Sequence, residues 1–487
     1  MPECKLHILD EVNVKFEGLD PVTRRKMVSA LKFMVPYAFH LPAYKLGRWD
    51  GTVSFATIGG ATYLNLLDQV LPVVQASGYE ISLVDHRKEY DFRFEKITAD
   101  VFAHKQWPKG HPAEFEPIRL RDYQVEVINL FLDNLQGIQE IATGAGKSLI
   151  TAALSYFCEP YGRTIVIVPN KQLVEQTEAD YKNLGLDVGV FYGGRKEYDK
   201  THTISTWQSL SIFSKKSRAG MIDKSEETIK EWLSDVACVI VDEAHSAKAK
   251  ELKDLLTGPF AKTPIRWGLT GTIPKEKFDA YHLYASIGPV VASLSAKELQ
   301  DIGVLSNLDI EVLQMKDSKA FKSWQEENKY LVETKDRLDW IADKIYEVSQ
   351  TGNTLVLFNK IATGEYLKSK IENSVFISGT MDTKIRKEHY DDVNDSNNMV
   401  ILATSGVAAV GINVPRIYNL ILIEPGKSFI RTIQSIGRGI RKAKDKDYLK
   451  VYDICSTTRY SNRHLNSRKK YYAEAQYPFV VKKINWE

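Results

Sequence analysis

QEIATGAGKSLITAAL, residues 139–154, decides the fold. Gly144 and Gly146, with Thr143 before them and Ala145 between them, permit a tight loop whose amides can surround a phosphate. Lys147 adds a point charge, Ser148 offers a hydroxyl to Mg2+, and the apolar helix that follows points its positive end at the same anion. The strict G-x-x-x-x-G-K-[ST] pattern fails at Ile141, so the loop matches in chemistry and not in every letter. A glycine-rich helix entry that holds no ligand is the plainer alternative.

Outward from this loop, short β-branched runs alternate with helical segments: TIVIVP, HTISTW, ACVIVDEAH and RWGLTGT. Such runs suit parallel strands buried on both faces. The alternation restarts with NTLVLFN, NSVFIS, NMVILATS, YNLILIE and LKVYDIC, which predicts two α/β domains in tandem, joined somewhere around 295–325. In ACVIVDEAH the hydrophobic strand ends in Asp242 and Glu243. One carboxylate is suited to a metal's water shell and the other to orienting an attacking water. His245, beside them, is more often a hydrogen-bonded structural residue than a ligand, and no metal is assigned to it. Near the C-terminal end, QSIGRGIR places Arg438 and Arg441 three residues apart; they suit either a solvated helix face or an anion supplied from elsewhere in the chain.

The order of these motifs resembles the superfamily 2 helicases and nucleic-acid translocases. It runs from LRDYQ at 120–124 through ATGAGKS, VPNKQLVEQ at 168–176, ISTWQSL at 204–210, DEAH at 242–245 and LTGT at 269–272 to ATSGVAAVGINVP and QSIGRGIR. The resemblance implies an α/β fold of two tandem RecA-like parallel-sheet domains. It implies ATP and Mg2+ as cofactors, with Lys147, Asp242, Glu243, Gln434, Arg438 and Arg441 catalytic and Ser148 and Asp242 toward the metal. Arg121, Gln124 and the loop from Thr143 to Ser148 would hold the nucleotide. His245, Thr270 and Thr272 would couple that site to the nucleic-acid groove. Asn413 replaces the acidic residue frequent at its position. ISTWQSL and LTGT resemble the DNA-directed branch, and the whole chain, including KLGRWDGTVSF, resembles the phage recombination and repair helicases of the superfamily. That implies branch migration of four-way junctions, fork regression and R-loop removal, with branched or duplex DNA, and RNA-DNA hybrids, as partners. An RNA helicase and an ATP-switched binding or annealing protein are the rival readings.

Before the tandem domains, residues 1–95 alternate strand-like and helix-like runs and predict a small α+β nucleic-acid-binding domain. Three prolines in HKQWPKGHPAEFEP suggest a linker at 96–117, followed by domains at 118–300 and 301–455 and a basic extension at 456–487. Residues 21–49 hold six Lys or Arg, no Asp or Glu, and five aromatics, which suits phosphate contacts plus base stacking. Arg24, Arg25, Arg48 and Trp49, with Thr206 in the first α/β domain, are the candidate contacts. Phe33, Tyr37 and Phe39 serve equally well as core. Arg463, Arg468, Lys469 and Lys470 would line a duplex path or be solvated. The stretch 214–232 reads as a loop or an exposed helix.

The 487 residues are 44% hydrophobic and 26% charged with a net charge of +3, which fits a multidomain globular protein and leaves whole-chain charge silent about partners. Cys4, Cys158, Cys238 and Cys455 form no C-x-x-C pair and read as core thiols. With no long apolar run, the chain is expected to be cytoplasmic, and a monomer is favoured.

Overall fold

The β-branched runs around the phosphate loop become the centre of an eight-stranded sheet. Six parallel strands follow the order Val188–Tyr192, His202–Thr206, Arg163–Val168, Val236–Asp242, Ile265–Thr270, Gln136–Ile141. Arg195–Lys196 and Val290–Leu294 finish the two edges. Every residue of His202–Thr206 and of Ile265–Thr270 is buried, as strands covered on both faces require. In register, Thr206 lies beside Val168, Asp242 beside Leu269 and Thr270 beside Glu140. Their carboxyl ends therefore share one edge, where ligands bind in open α/β sheets.

The computed structural model describes residues 2–109, 113–197, 199–221, 228–244, 249–379, 381, 383–407, 414, 416–426 and 445–486. It divides into two compact units, Met1–Glu140 with Lys147–Ser293, and Ile141–Gly146 with Leu294–Glu487.

The N-terminal module belongs to the first unit. Ala61–Tyr63, Asn13–Glu17, Glu3–Ile8 and Glu80–Asp85 form a four-stranded sheet in that order, antiparallel except for its last pair. Asp10 makes the first hairpin by accepting the Val12 and Asn13 amides at 2.9 and 2.7 Å. Alternate residues of Glu3–Ile8 face an apolar cluster that also contains Phe278 and Ala285 of helix Lys277–Ser286, so the module shares its core with the large sheet's covering layer. Residues 96–117, expected as a linker, are strapped down: the Ile97 amide donates to Asn129 Oδ1 at 2.9 Å, and Phe102 is fully buried against Tyr156. In the stretch 214–232, helix Trp207–Arg218 ends with Lys215, Lys216 and Arg218 exposed, as an exposed helix would, whereas Ile229 and Trp232 at the far end are buried in the core.

His282 sits between module and sheet, its ring edge-on to Phe55 and Phe278. Neither ring nitrogen has a hydrogen-bond partner. Burial, then the Lys253 cation, pushes its pKa from 6.5 down to about 4, with Lys250 adding and Asp254 opposing. Between those values the unfolded chain binds the extra proton, so the stability from a neutral ring is complete above about pH 6.5 and is lost as pH falls toward 4. From pH 6.5 to 5 this loss amounts to about 2 kcal/mol. Thermal unfolding of His282→Leu should show a shallower acid slope than the wild-type chain; equal slopes would remove His282 as the cause.

In the second unit, seven strands run parallel in the order Ser374–Ile377, Val400–Thr404, Thr354–Phe358, Asn419–Ile423, Tyr448–Ser456, Asn307–Met315, Phe479–Ile484. The stretch 456–487, set apart in the sequence as a basic extension, is built into this unit. Phe479–Ile484 pairs with Asn307–Met315, and helix Arg459–Glu474 covers the sheet. Arg468 is fully buried with both guanidinium arms on Asp453 at 2.8 Å, so it is neither solvated nor available to a duplex. All four cysteines are buried and free. Among the described residues, no helix is long and apolar enough to cross a membrane.

Candidate active site

Gly144 and Gly146 take φ of 93° and 77°, values that side chains rarely adopt, and so the loop between Ile141 and helix Lys147–Cys158 curls as the sequence implied. Lys147 is buried at the start of that helix, and its Nζ lies 3.1 Å from Glu243 Oε1. Glu243 follows the strand Val236–Asp242 with φ of 49°, a left-handed conformation that is costly for a non-glycine residue. Its amide donates to Asp242 Oδ1 at 2.8 Å. Burial, then the neighbouring Glu243 charge, pushes the Asp242 carboxyl up to about 6, against the pull of Lys147. These groups form a compact cluster of one cation and two carboxylates.

Two acids that the sequence did not single out hold residues at or next to the predicted site. Ser148 donates its hydroxyl to Asp180 on helix Lys171–Asn183, a carboxyl that burial pushes up to about 6. Glu140, last but one in the strand leading to the loop, accepts the Ile273 amide at 3.1 Å. Thr270 and Thr272 lie immediately before Ile273 in a tight buried turn, where Thr270 Oγ1 donates to the Thr272 carbonyl at 2.9 Å and accepts its amide at 3.2 Å. Glu140 thus ties the threonine turn to the strand that enters the phosphate loop. Neither acid was legible, because Asp180 comes from a distant helix and Glu140 looks like an ordinary strand residue.

Gln124 is buried, and its Oε1 accepts the Arg121 amide at 3.0 Å, satisfying a backbone donor at the start of helix Asp122–Asp133. Arg121 is exposed. Thr206 caps helix Trp207–Arg218 through the Ser209 amide and shares a hydrogen bond with the Ser209 hydroxyl at 2.9 Å. In the N-terminal module, Arg25 and Arg48 are exposed and Arg24 is half-buried. Trp49 is committed to structure: its indole N–H donates to the Thr52 carbonyl at 2.8 Å, and its ring packs on the module's core. His245, Asn413, Gln434, Arg438 and Arg441 lie outside the described residues.

The model of the type III restriction enzyme res subunit matches residues 117–275, and that of the helicase conserved C-terminal domain matches residues 336–443. The chain is 24% identical to the ATP-dependent DNA helicase uvsW of Enterobacteria phage T4, over 92% of this chain and 93% of that one. It is 24% identical to the DNA 3'-5' translocase XPB2 of Sulfurisphaera tokodaii, over 70% of this chain and 83% of that one. A fragment of the HsdR subunit of a type I restriction enzyme from Vibrio vulnificus matches in structure with a TM-score of 0.56 at 16% identity, covering 97% of this chain and 85% of that one. Together the two family models span more than half of the sequence, in the order phosphate-loop domain then helicase C-terminal domain; the chain belongs to the superfamily 2 helicases and translocases, which couple ATP hydrolysis to work on nucleic acid.

Proposed function

We propose that this enzyme is a DNA motor that remodels branched DNA, migrating four-way junctions, regressing forks and removing R-loops in recombination, repair and replication. The observation that carries the reading is the likeness to the phage T4 DNA helicase, which covers 92% of the chain and so extends past the two family models. The translocase relative acts on DNA as well, by its name.

In the proposed cycle, Lys147 leaves Glu243 for the nucleotide's phosphates and frees that carboxylate to orient and deprotonate the attacking water. Mg2+ fits the arrangement. A carboxyl that ionises reluctantly without a cation beside it and a serine hydroxyl at the start of helix Lys147–Cys158 are oxygen donors that suit a small hard ion. Ser148 and Asp242 would hold it, and when bound it supplies positive charge to the phosphate oxygens. Gln434, Arg438 and Arg441 are proposed to act on the γ-phosphate from the second domain, the arginines stabilising charge on the transferred group. Gln124 and Arg121 are proposed at the adenine, and Thr270 and Thr272 as the link to the nucleic-acid groove. Arg24, Arg25, Arg48 and Thr206 are proposed on the polymer, with the enzyme acting as a cytoplasmic monomer.

Steady-state ATP turnover with equal nucleotide concentrations of single-stranded DNA, linear duplex, four-way junction, RNA-DNA hybrid and structured RNA tests this. The junction should stimulate most. Stimulation by RNA alone would reassign the polymer, and strand separation that persists with a nonhydrolysable nucleotide would turn the motor into an ATP-switched clamp.

A further inference from the structure

With the half-buried Trp49 tied to Thr52 through its indole, the question is what the other aromatics of residues 21–49 do. Strands Lys32–Met34 and Thr52–Ser54 pair as a two-stranded ribbon, and the chain between them folds into a projection in which every residue from Phe39 to Arg48 is exposed. Its base is rigid. Val35 and Ala38 are buried plugs, Trp49 is hydrogen-bonded to Thr52, and Gly51, at φ of 77°, lets the Tyr44 ring pack where a Cβ would come within 2.8 Å of it. Pro42 opens a short helical turn ending at Lys45. In this segment Tyr37, Phe39 and Leu46 are 52%, 56% and 63% exposed. Phe33, by contrast, is half-buried against Phe55 and Tyr281 and belongs to the core.

Solvent-facing aromatics held on a rigid base cost little ordering entropy when a partner arrives. Their surroundings choose the partner. No carboxylate occurs between Asp20 and Asp50, both of which are engaged: Asp20 caps helix Pro21–Ala30, and Asp50 pairs with Lys32 at 2.7 Å. Lys45 and Arg48 are exposed within the projection itself. An exposed aromatic segment that carries cations and no carboxylate of its own is complementary to a polyanion that also displays flat apolar faces, which describes unpaired or end-exposed nucleobases. We infer that Tyr37 and Phe39 form a base-stacking surface that engages unstacked bases at a branch point while Lys45 and Arg48 hold the adjoining phosphates. The inference rests on the DNA reading above and assigns the branch-recognition element to residues outside the ATPase machinery.

The test compares binding of the wild-type chain and the pairs Tyr37→Ser with Phe39→Ser, and Tyr37→Leu with Phe39→Leu, to a four-way junction and to blunt linear duplex of equal length. Both rings stand largely in solvent, so folding should be unaffected; thermal unfolding and DNA-free ATP turnover check this. Both variants should lose roughly 10- to 100-fold in junction affinity with little change on linear duplex, and the salt dependence of binding should keep its slope because no phosphate contact is removed. A 2-aminopurine at the branch should be quenched by the wild-type chain and by Tyr37→Phe with Phe39→Trp, and not by the serine or leucine pairs. Full junction affinity in the serine pair would overturn the inference, as would retention by leucine, which keeps apolar area and removes π faces. Self-association lost in the serine pair with DNA binding intact would instead make this surface an interface between copies. If the wild-type chain binds no DNA, the DNA reading itself fails, an outcome distinct from all of these.

Discussion

Glu243→Gln should lower ATP turnover by about 10²- to 10⁴-fold, the range for removing a positioned general base, while nucleotide affinity stays at least as high as in the wild-type chain. The direction on binding follows from the 3.1 Å ion pair between Lys147 and Glu243. Phosphate must displace that carboxylate to reach the lysine, and a neutral amide is easier to displace. Lys147→Ala should abolish turnover too, but through lost phosphate binding. The two variants therefore separate in a fluorescent-nucleotide titration. The left-handed backbone at Glu243, φ of 49°, adds a second check. Glu243→Gly relieves that conformation and should raise the unfolding midpoint relative to Glu243→Gln while leaving turnover equally low, as expected of strain retained for chemistry. Near-normal turnover in Glu243→Gln would transfer the base to another group and return Glu243 to a lysine-neutralising role.

Strands buried on both faces write themselves as β-branched runs, and for that reason Arg163–Val168, Val236–Asp242 and Thr354–Phe358 were legible in the sequence. The phosphate loop and the Asp242-Glu243 pair were legible as well, because motifs at strand ends are contiguous in the chain. What failed to show had a physical reason each time. The strand Gln136–Ile141 is disguised by Gln139, fully buried because its amide donates to the Val127 carbonyl at 2.8 Å. Asp180 reaches Ser148 from a helix some thirty residues away, and no local pattern encodes such a meeting. Trp49 looked like a stacking platform, but its indole hydrogen bond to Thr52 exists only once the ribbon has formed. Arg468 looked like one more cation in a basic tail, because sequence cannot show that the Asp453 side chain of LKVYDIC is fully buried. A carboxylate in that position demands a cation.

Arg468→Ala should therefore destabilise the second unit by about 3–5 kcal/mol, the cost of leaving a buried charge without its partner. Asp453 would keep the Tyr472 hydroxyl at 2.9 Å but lose both guanidinium bonds. The loss would spread through neighbouring groups. Arg337 reaches Glu424 at 2.9 Å, the Ser461 hydroxyl donates to the same carboxylate at 2.7 Å, and Glu327 accepts the Tyr460 and Ser461 amides at the start of helix Arg459–Glu474. Arg468 also donates to the Gly426 carbonyl at 2.7 Å, and Gly426 immediately precedes the stretch that contains Gln434, Arg438 and Arg441. If the network anchors that stretch, Arg468→Ala will lower ATP turnover even at temperatures where the chain is still folded. Arg468→Lys separates the two effects: it retains the charge and loses the bidentate geometry and the reach to Gly426, so it should recover part of the stability and little of the turnover. Arg468→Met with Asp453→Leu, which removes both charges, should be less destabilising than Arg468→Ala alone. Unfolding curves for the three variants, read beside their turnover, decide the matter. A stability loss in Arg468→Ala under about 1 kcal/mol, the scale of an exposed pair, would mean that Asp453 is solvated and the network is surface decoration.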